Sequence, residues 1–257
     1  MRCTRAIARP PGANFAQGLT SADLGLPDLA KALAQHRDYC RALEKCGVAV
    51  TVLPPEENFP DSTFVEDTAI VTTRGALLTR PGAESRLGEV AAMRPALEKF
   101  FPALAEIQAP GTLDGGDVCD AGGHFFIGVS ARTSEDGAWQ LARWLEKLGF
   151  GSTVVDIRRK PGLLHLKSGL AWLGGHRLAL VEELAGEAAF RDYEMVRVAA
   201  AESYAANCLL VNETLLIANG FSQFEAKVRK TGRKVIALDA TEFRKMDGGL
   251  SCLSLRW

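Results

Sequence analysis

The sequence predicts an α/β fold arranged as a closed, propeller-like ring of five units. Three observations predict it. A pattern of strand, loop and hairpin recurs five times along the 257 residues. Stretches with helical spacing of apolar residues fall between the copies. The fifth copy lacks a hairpin partner after Cys252, and the apolar segment 4–8 is suited to supply it. Repeats of this size bury a shared core only against their neighbours. Residues 1–257 are therefore expected to form a single catalytic domain of five strand–loop–hairpin–helix repeats, its ring closed by the N- and C-terminal strands.

The copies follow in order. The first has an apolar strand at 48–53, the loop Pro60-Asp61-Ser62, and two β-rich runs around Arg74-Gly75 that read as a hairpin. The second has a strand at 105–107, the loop Leu113-Asp114-Gly115-Gly116, and a hairpin turning at Ala121-Gly122-Gly123. The third has a strand at 152–155, a loop carrying His165, and a hairpin at Gly174-Gly175. The fourth has a strand near 196–198, a loop at Tyr204-Ala205-Ala206-Asn207, and a hairpin near Asn212-Glu213. The fifth has a strand at 234–238 and then the loop of Cys252.

Between copies, residues 28–46 place Leu29, Leu33, Cys40 and Leu43 near helical spacing, with Asp28 to cap the start and Gly47 to end it. Ser134 begins another helix, with Glu135 and Asp136 in its first turn and Gly149 at its end. Weaker helices are expected at 84–100, 186–196 and 221–231, with Pro95 breaking or kinking the first.

Composition narrows the function. Hydrophobic residues at 47% and charged residues at 24% describe an ordinary globular chain. A net charge of -1 with no basic block gives nucleic acid nothing to hold. No apolar run reaches the roughly 18 residues of a membrane span, and the first residues lack the apolar stretch of a signal peptide. A cytoplasmic address follows as the default, with the six cysteines as free thiols. Exposed strand edges leave a homodimer open.

The ring gives the loops a common purpose. Asp61, Asp114, His165, Asn207 and Cys252 all lie between the first strand and the hairpin of their copies. Equivalent loops converge at one end of the axis, so these residues face one pocket. Cys252 follows Gly248-Gly249, where the backbone is free to turn and to approach a neighbour closely. A Cys/His/Asp set polarises a thiol for attack on an electrophilic carbon. Each member also has an ordinary reading: Cys252 and His165 as core residues, Asp114 as a turn former. Asp117 competes with Asp114 as the partner of His165. Asp61, Glu66 and Asp67 form either a solvated acidic loop or a carboxylate cradle for a planar cation. The apolar Phe64 and Val65 between them favour burial. Arg86 and Arg132 read as surface charges or as a clamp for a carboxylate. A zinc set is disfavoured because no two candidate ligands form a short pair, and no phosphate-loop spacing surrounds Gly115-Gly116.

These segments together resemble the dimethylarginine dimethylaminohydrolase family of the guanidine-modifying, or pentein, superfamily. The resemblance rests on Phe59-Pro60-Asp61-Ser62-Thr63-Phe64-Val65-Glu66-Asp67, Thr79-Arg80-Pro81-Gly82-Ala83-Glu84-Ser85-Arg86, Gly111-Thr112-Leu113-Asp114-Gly115-Gly116-Asp117, Leu164-His165-Leu166-Lys167-Ser168 and Asp247-Gly248-Gly249-Leu250-Ser251-Cys252. It implies a five-fold pseudosymmetric α/β propeller and conversion of Nω-methylated arginines to citrulline and methylamines through a covalent thiouronium, without metal or cofactor. It implies Cys252 as nucleophile, His165 as general acid/base and Asp114 as its partner. Leu19, Asp61, Glu66, Asp67, Arg86 and Arg132 are implied as substrate-binding residues, and Gly18-Leu19-Thr20-Ser21 as a lid. Ser134 departs from the family, which has Asn there, and this bears on the pose of Arg132. Two other readings stay open. One is another guanidine-modifying enzyme of the arginine or agmatine deiminase type. The other is a catalytically silent ring that only binds a ligand.

Overall fold

The computed structural model describes residues 2–257. Strand β1 (Arg5–Ala8) runs parallel to β2 (Ala49–Val52), with helix α1 (Leu29–Lys45) between them. The same plan then repeats. A hairpin of β3 (Ala69–Thr72) and β4 (Gly75–Leu78) is followed by α2 (Leu87–Glu98) and the parallel strand β5 (Leu104–Glu106). Next come β6 (Val118–Asp120) and β7 (His124–Val129), then α3 (Glu135–Lys147) and β8 (Gly151–Asp156). Strands β9 (Leu170–Gly174), β10 (Arg177–Val181) and β11 (Glu194–Val198) form another sheet. Strands β12 (Leu209–Val211) and β13 (Thr214–Ala218), helix α4 (Ser222–Arg229) and β14 (Lys234–Leu238) form the next. After the short helix α5 (Thr241–Arg244), strand β15 (Ser254–Arg256) pairs antiparallel with β1.

Among the described residues there are thus five three-stranded sheets, and one of them joins the first and last strands of the ring. Trp257 C=O accepts from both Thr4 N and Arg5 N and extends that seam. The expected ring is present, closed as the sequence predicts. Its sheets are offset from the repeats read in the sequence. The strand that opens each repeat adds to the preceding hairpin as its parallel third member, because a helical crossover can return the chain only alongside the strand it left.

Local signals decide most helix ends. Asp28 accepts from Lys31 N and Ser134 from Gly137 N, satisfying donors that the first helical turn leaves open. Helix α2 continues past Pro95 to Glu98. The helix expected at 186–196 is absent. That stretch holds a 3-10 turn at Ala188–Phe190 and then β11. Leu184 and Phe190, both fully buried, hold this crossover against the core.

The core lies between helices and sheets and continues around the ring. Phe126 packs against Phe190 at 5.0 Å and Tyr193 at 5.6 Å between centroids. Phe126→Ala is expected to cost about 3–5 kcal/mol, read as a lower denaturant midpoint at unchanged slope. Along the axis, the first strands of the sheets line a cavity of about 340 Å³. No helix among the described residues is long and apolar enough to cross a membrane.

Candidate active site

Each loop leading into the next sheet winds into a 3-10 turn. These turns are Val65–Thr68, Gly115–Asp117, Leu166–Ser168, Ala200–Ala206 and Ser251–Leu253. The first touches the second and the fifth, the second touches the third, and the third touches the fourth. Asn207 joins the fourth to the fifth: its Oδ1 accepts from Ser251 N at 2.9 Å and its Nδ2 donates to Ser251 Oγ at 3.1 Å. A circle of turns therefore seals one end of the axis.

Glycine permits the close contacts of this circle. A Cβ on Gly115 would sit 1.9 Å from the carbonyl oxygen of Glu66, and one on Gly116 would sit 2.7 Å from His165 Nδ1. A Cβ on Gly248 would sit 2.1 Å from the Phe64 ring. The glycines before Cys252 thus serve approach. The left-handed residue of that turn is Asp247, at φ 56°.

Leu19, Asp61, Asp67, Arg86, Arg132, His165 and Cys252 line one narrow cavity of about 30 Å³. The cavity is small, and a strap of chain lies against it. The strap is the loop of Leu19. Leu19 N donates to both oxygens of Asp61 at 3.1 Å, Thr20 Oγ1 donates to Lys245 C=O, and Ser21 Oγ donates to Asp247.

Asp114 is fully buried behind His165. Its Oδ2 lies 3.0 Å from His165 Nε2, and its Oδ1 accepts from Gly82 N at 2.8 Å. The rival Asp117 does something else. It accepts from Ser130 Oγ, Thr133 Oγ1 and Leu166 N, tying the His165 loop to the neighbouring sheet. Burial favours neutral imidazole, but Asp67, Asp117 and Asp114 outweigh it and raise the His165 pKa from 6.5 to about 9. Burial also pushes the Cys252 thiol up, and Glu66 and Asp67 add to it. Gly249 N–H and Lys167 pull the other way, and the net rise is from 9.0 to about 12. Both shifts favour a neutral thiol and a protonated imidazole lining the same cavity.

The acidic cradle is buried. Burial disfavours the Asp67 anion, yet Arg86, His165 and Gly116 N–H prevail, and its pKa falls from 3.8 to about 2. Asp67 Oδ2 meets Arg86 Nη1 at 2.6 Å, and its Oδ1 accepts from Gly116 N at 2.7 Å. Asp61 is different: burial raises its pKa, only partly countered by Arg86 and Leu19 N–H.

Arg86 is held on every side. Glu89 grips its Nε at 3.0 Å and its Nη2 at 2.8 Å, and the carbonyls of Asp61 and Phe64 accept from Nη2. Arg132 is freer, its nearest charge being Asp114 at 3.8 Å. Ser134 still caps α3 and also accepts from Thr112 N at 2.9 Å. Sequence reading missed Glu89, although its spacing three residues after Arg86 on one helical turn is a detectable pair.

Glu66 sits apart from the other expected substrate residues. Its carboxylate faces the larger axial cavity, where Lys167 Nζ lies at 2.5 Å, Ser251 Oγ at 2.9 Å and Arg256 Nη2 at 3.3 Å. The acidic loop makes a turn there, so neighbouring carboxylates in sequence point to opposite sides of the seal. Asp67, Asp114 and His165 hold atoms within 4.8 Å of one another, a spacing that a metal set also has. Each is engaged by a protein donor or acceptor, and we read them as a charge network.

Comparison with known proteins follows the same line. No protein-family model matches the chain. It is 46% identical over 252 residues to the N(G),N(G)-dimethylarginine dimethylaminohydrolase of Pseudomonas aeruginosa, covering 98% of each chain. Its fold matches a solved cysteine-to-serine mutant of DDAH from Pseudomonas aeruginosa, complexed with citrulline, at TM-score 0.97 and 44% identity over 100% of both chains. It also matches a histidine-to-glycine dimethylarginine dimethylaminohydrolase in adduct with S-methyl-L-thiocitrulline, at TM-score 0.96 and 45% identity, covering 99% and 100% of the two chains.

Proposed function

The chain belongs to the dimethylarginine dimethylaminohydrolase family, and from that premise we propose that it hydrolyses Nω-methylated arginines to citrulline and methylamines in a single catalytic domain. The observation that carries this reading is one cavity lined by Cys252, His165 and a buried carboxylate cradle. A planar guanidinium suits Asp61 and Asp67, which offer paired charge-assisted acceptors. Arg132 has its charge available for the α-carboxylate, and Arg86 stiffens the cradle by holding Asp67.

The chemistry follows from the resting charges. A docked cation beside Cys252 lowers the cost of a thiolate. The sulfur attacks the central guanidinium carbon and forms a tetrahedral adduct. His165, already protonated, donates its proton to the departing dimethylamine. The imidazole, now neutral, takes a proton from water as that water attacks the thiouronium. The second adduct collapses as its C–S bond breaks and its hydroxyl proton passes to the departing sulfur, which gives citrulline and restores the thiol. Asp114 orients the ring throughout.

Purified protein given Nω,Nω-dimethylarginine is expected to release equal amounts of citrulline and dimethylamine. Arginine converted equally well would favour the deiminase reading, and no citrulline from either would favour the silent ring. Asp67→Ala is expected to raise KM at least about tenfold and to cost about 3 kcal/mol by leaving Arg86 short of a buried partner. An unchanged KM would remove Asp67 from the substrate cradle.

A further inference from the structure

The resting site poses a problem of proton traffic. Cys252 must lose a proton, and His165 already holds the one it needs for the leaving amine. We propose that the thiol proton leaves through Ser251 and Glu66 into the larger axial cavity, so that these two residues form a relay across the sealed end of the ring. The proposal rests on the hydrolase reading above and extends it.

The hydrogen-bond directions suit a relay. Ser251 Oγ lies 4.0 Å from Cys252 Sγ, a contact in which either atom can donate. Ser251 Oγ–H donates to Glu66 Oε2 at 2.9 Å. A hydroxyl has one donor and two acceptor positions. The donor is spent on Glu66 and one acceptor on Asn207 Nδ2. The remaining lone pair is available to the thiol. In the step proposed, the S–H bond breaks and its proton forms an O–H bond to Ser251. The former hydroxyl proton passes to Glu66, and the electron pair left on sulfur attacks the guanidinium carbon.

The far side of the seal can receive that proton. Glu66, Lys167, Ser251 and Arg256 line the cavity of about 340 Å³, whose rim includes the exposed Asp120 and Glu213. Lys167 and Arg256 both bind Glu66 Oε1, which leaves Oε2 for the hydroxyl. Glu66 lines that cavity, so a proton that reaches its carboxylate has a path to solvent. The sulfur's charged and titratable surroundings are then Glu66 and Asp67 from one turn, His165 and Lys167 from another, with the Tyr204 hydroxyl and Arg256 behind.

The test compares Ser251→Ala, Ser251→Thr and Glu66→Gln with the wild type in two assays. In the first, alkylation of Cys252 by iodoacetamide is followed by peptide mass spectrometry across pH. In the second, citrulline release from dimethylarginine is measured across pH in H2O and D2O. Glu66→Gln is expected to lower the alkylation midpoint, because a negative charge beside the thiol is gone, and yet to slow turnover about tenfold or more. A structural or purely electrostatic role does not produce that opposed pair. Ser251→Ala, which leaves the Glu66 charges in place, is expected to slow turnover about tenfold at pH 7 with a larger solvent isotope effect. The deficit should shrink at alkaline pH as hydroxide takes the proton directly, and Ser251→Thr should restore the rate. Wild-type turnover in Glu66→Gln, an unmoved alkylation midpoint, or a Ser251→Ala deficit constant with pH would each overturn the relay. If the wild type releases no citrulline, the hydrolase reading fails, and the alkylation assay still decides whether Glu66 acts on the thiol.

Discussion

Cys252→Ser is expected to lose turnover by about 10⁴-fold or more while still binding dimethylarginine. A hydroxyl is a far weaker nucleophile than a thiolate, and the buried environment that holds the thiol at about 12 disfavours an alkoxide still more. Nothing else lining the cavity replaces it, since its other polar groups are carboxylates, guanidinia and one imidazole. Two measurements check this. Steady-state assay should show no citrulline above background, and calorimetry should show the ligand bound with an affinity near the wild-type KM. Full activity in the serine variant would transfer the nucleophilic role elsewhere. Equal inactivity of wild type and variant would reduce the protein to a binding ring.

Removing the imidazole separates the two halves of the reaction. With S-methyl-L-thiocitrulline, whose thiolate leaves without needing a proton, His165→Gly is expected to retain adduct formation on Cys252 and to lose about 10²–10⁴ in turnover, because hydrolysis of the thiouronium needs a base to activate water. Denaturing mass spectrometry should show the thiouronium accumulating. An adduct-free variant would assign His165 to thiol activation instead. The wild-type pH profile carries the same information. The folded pKa of about 9 lies above the ordinary 6.5, so the proton donor is present at neutral pH and is lost as pH rises through 9. Because kcat/KM reports the free enzyme, it should fall on the alkaline side near pH 9. The docked cation lowers the imidazole pKa, so the corresponding limb of kcat should appear at lower pH. A kcat/KM flat to pH 10 would contradict a protonated His165.

The parts of the molecule that were legible in the sequence share one property: their signals are local or repeat. Hairpin turns such as Gly174-Gly175 need positive φ, and glycine marks them. Asp28 and Ser134 announce helix starts because a side chain there can accept from the first turn. The missing partner of the fifth repeat pointed to β1, and the register Ile7↔Leu255 bears this out. The helix expected at 186–196 failed because alanines and glutamates favour a helix locally, whereas Leu184 and Phe190 gain more by turning inward. The 3-10 turns around the axis, three to seven residues each, are too short for any periodicity. The direction of Glu66 was invisible for the same reason. Within Val65–Thr68 successive side chains diverge, so Glu66 and Asp67 part company. Choosing Asp114 over Asp117 likewise required knowing which carboxylate the imidazole ring reaches.

The seam between β1 and β15 has a consequence for how activity is acquired and lost. Its two strands are about as far apart in the chain as any pair in the ring, and Cys252, the proposed nucleophile, sits in the short link just ahead of the later one. A chain that stops ahead of Cys252 can form the other four sheets yet carries no sulfur in the site. The same geometry makes catalysis a sensitive gauge of the seam. Any fraying there draws Cys252 out of register with His165 while the remaining sheets are still folded, and enzymatic function should fade at milder denaturant than the bulk spectroscopic signal.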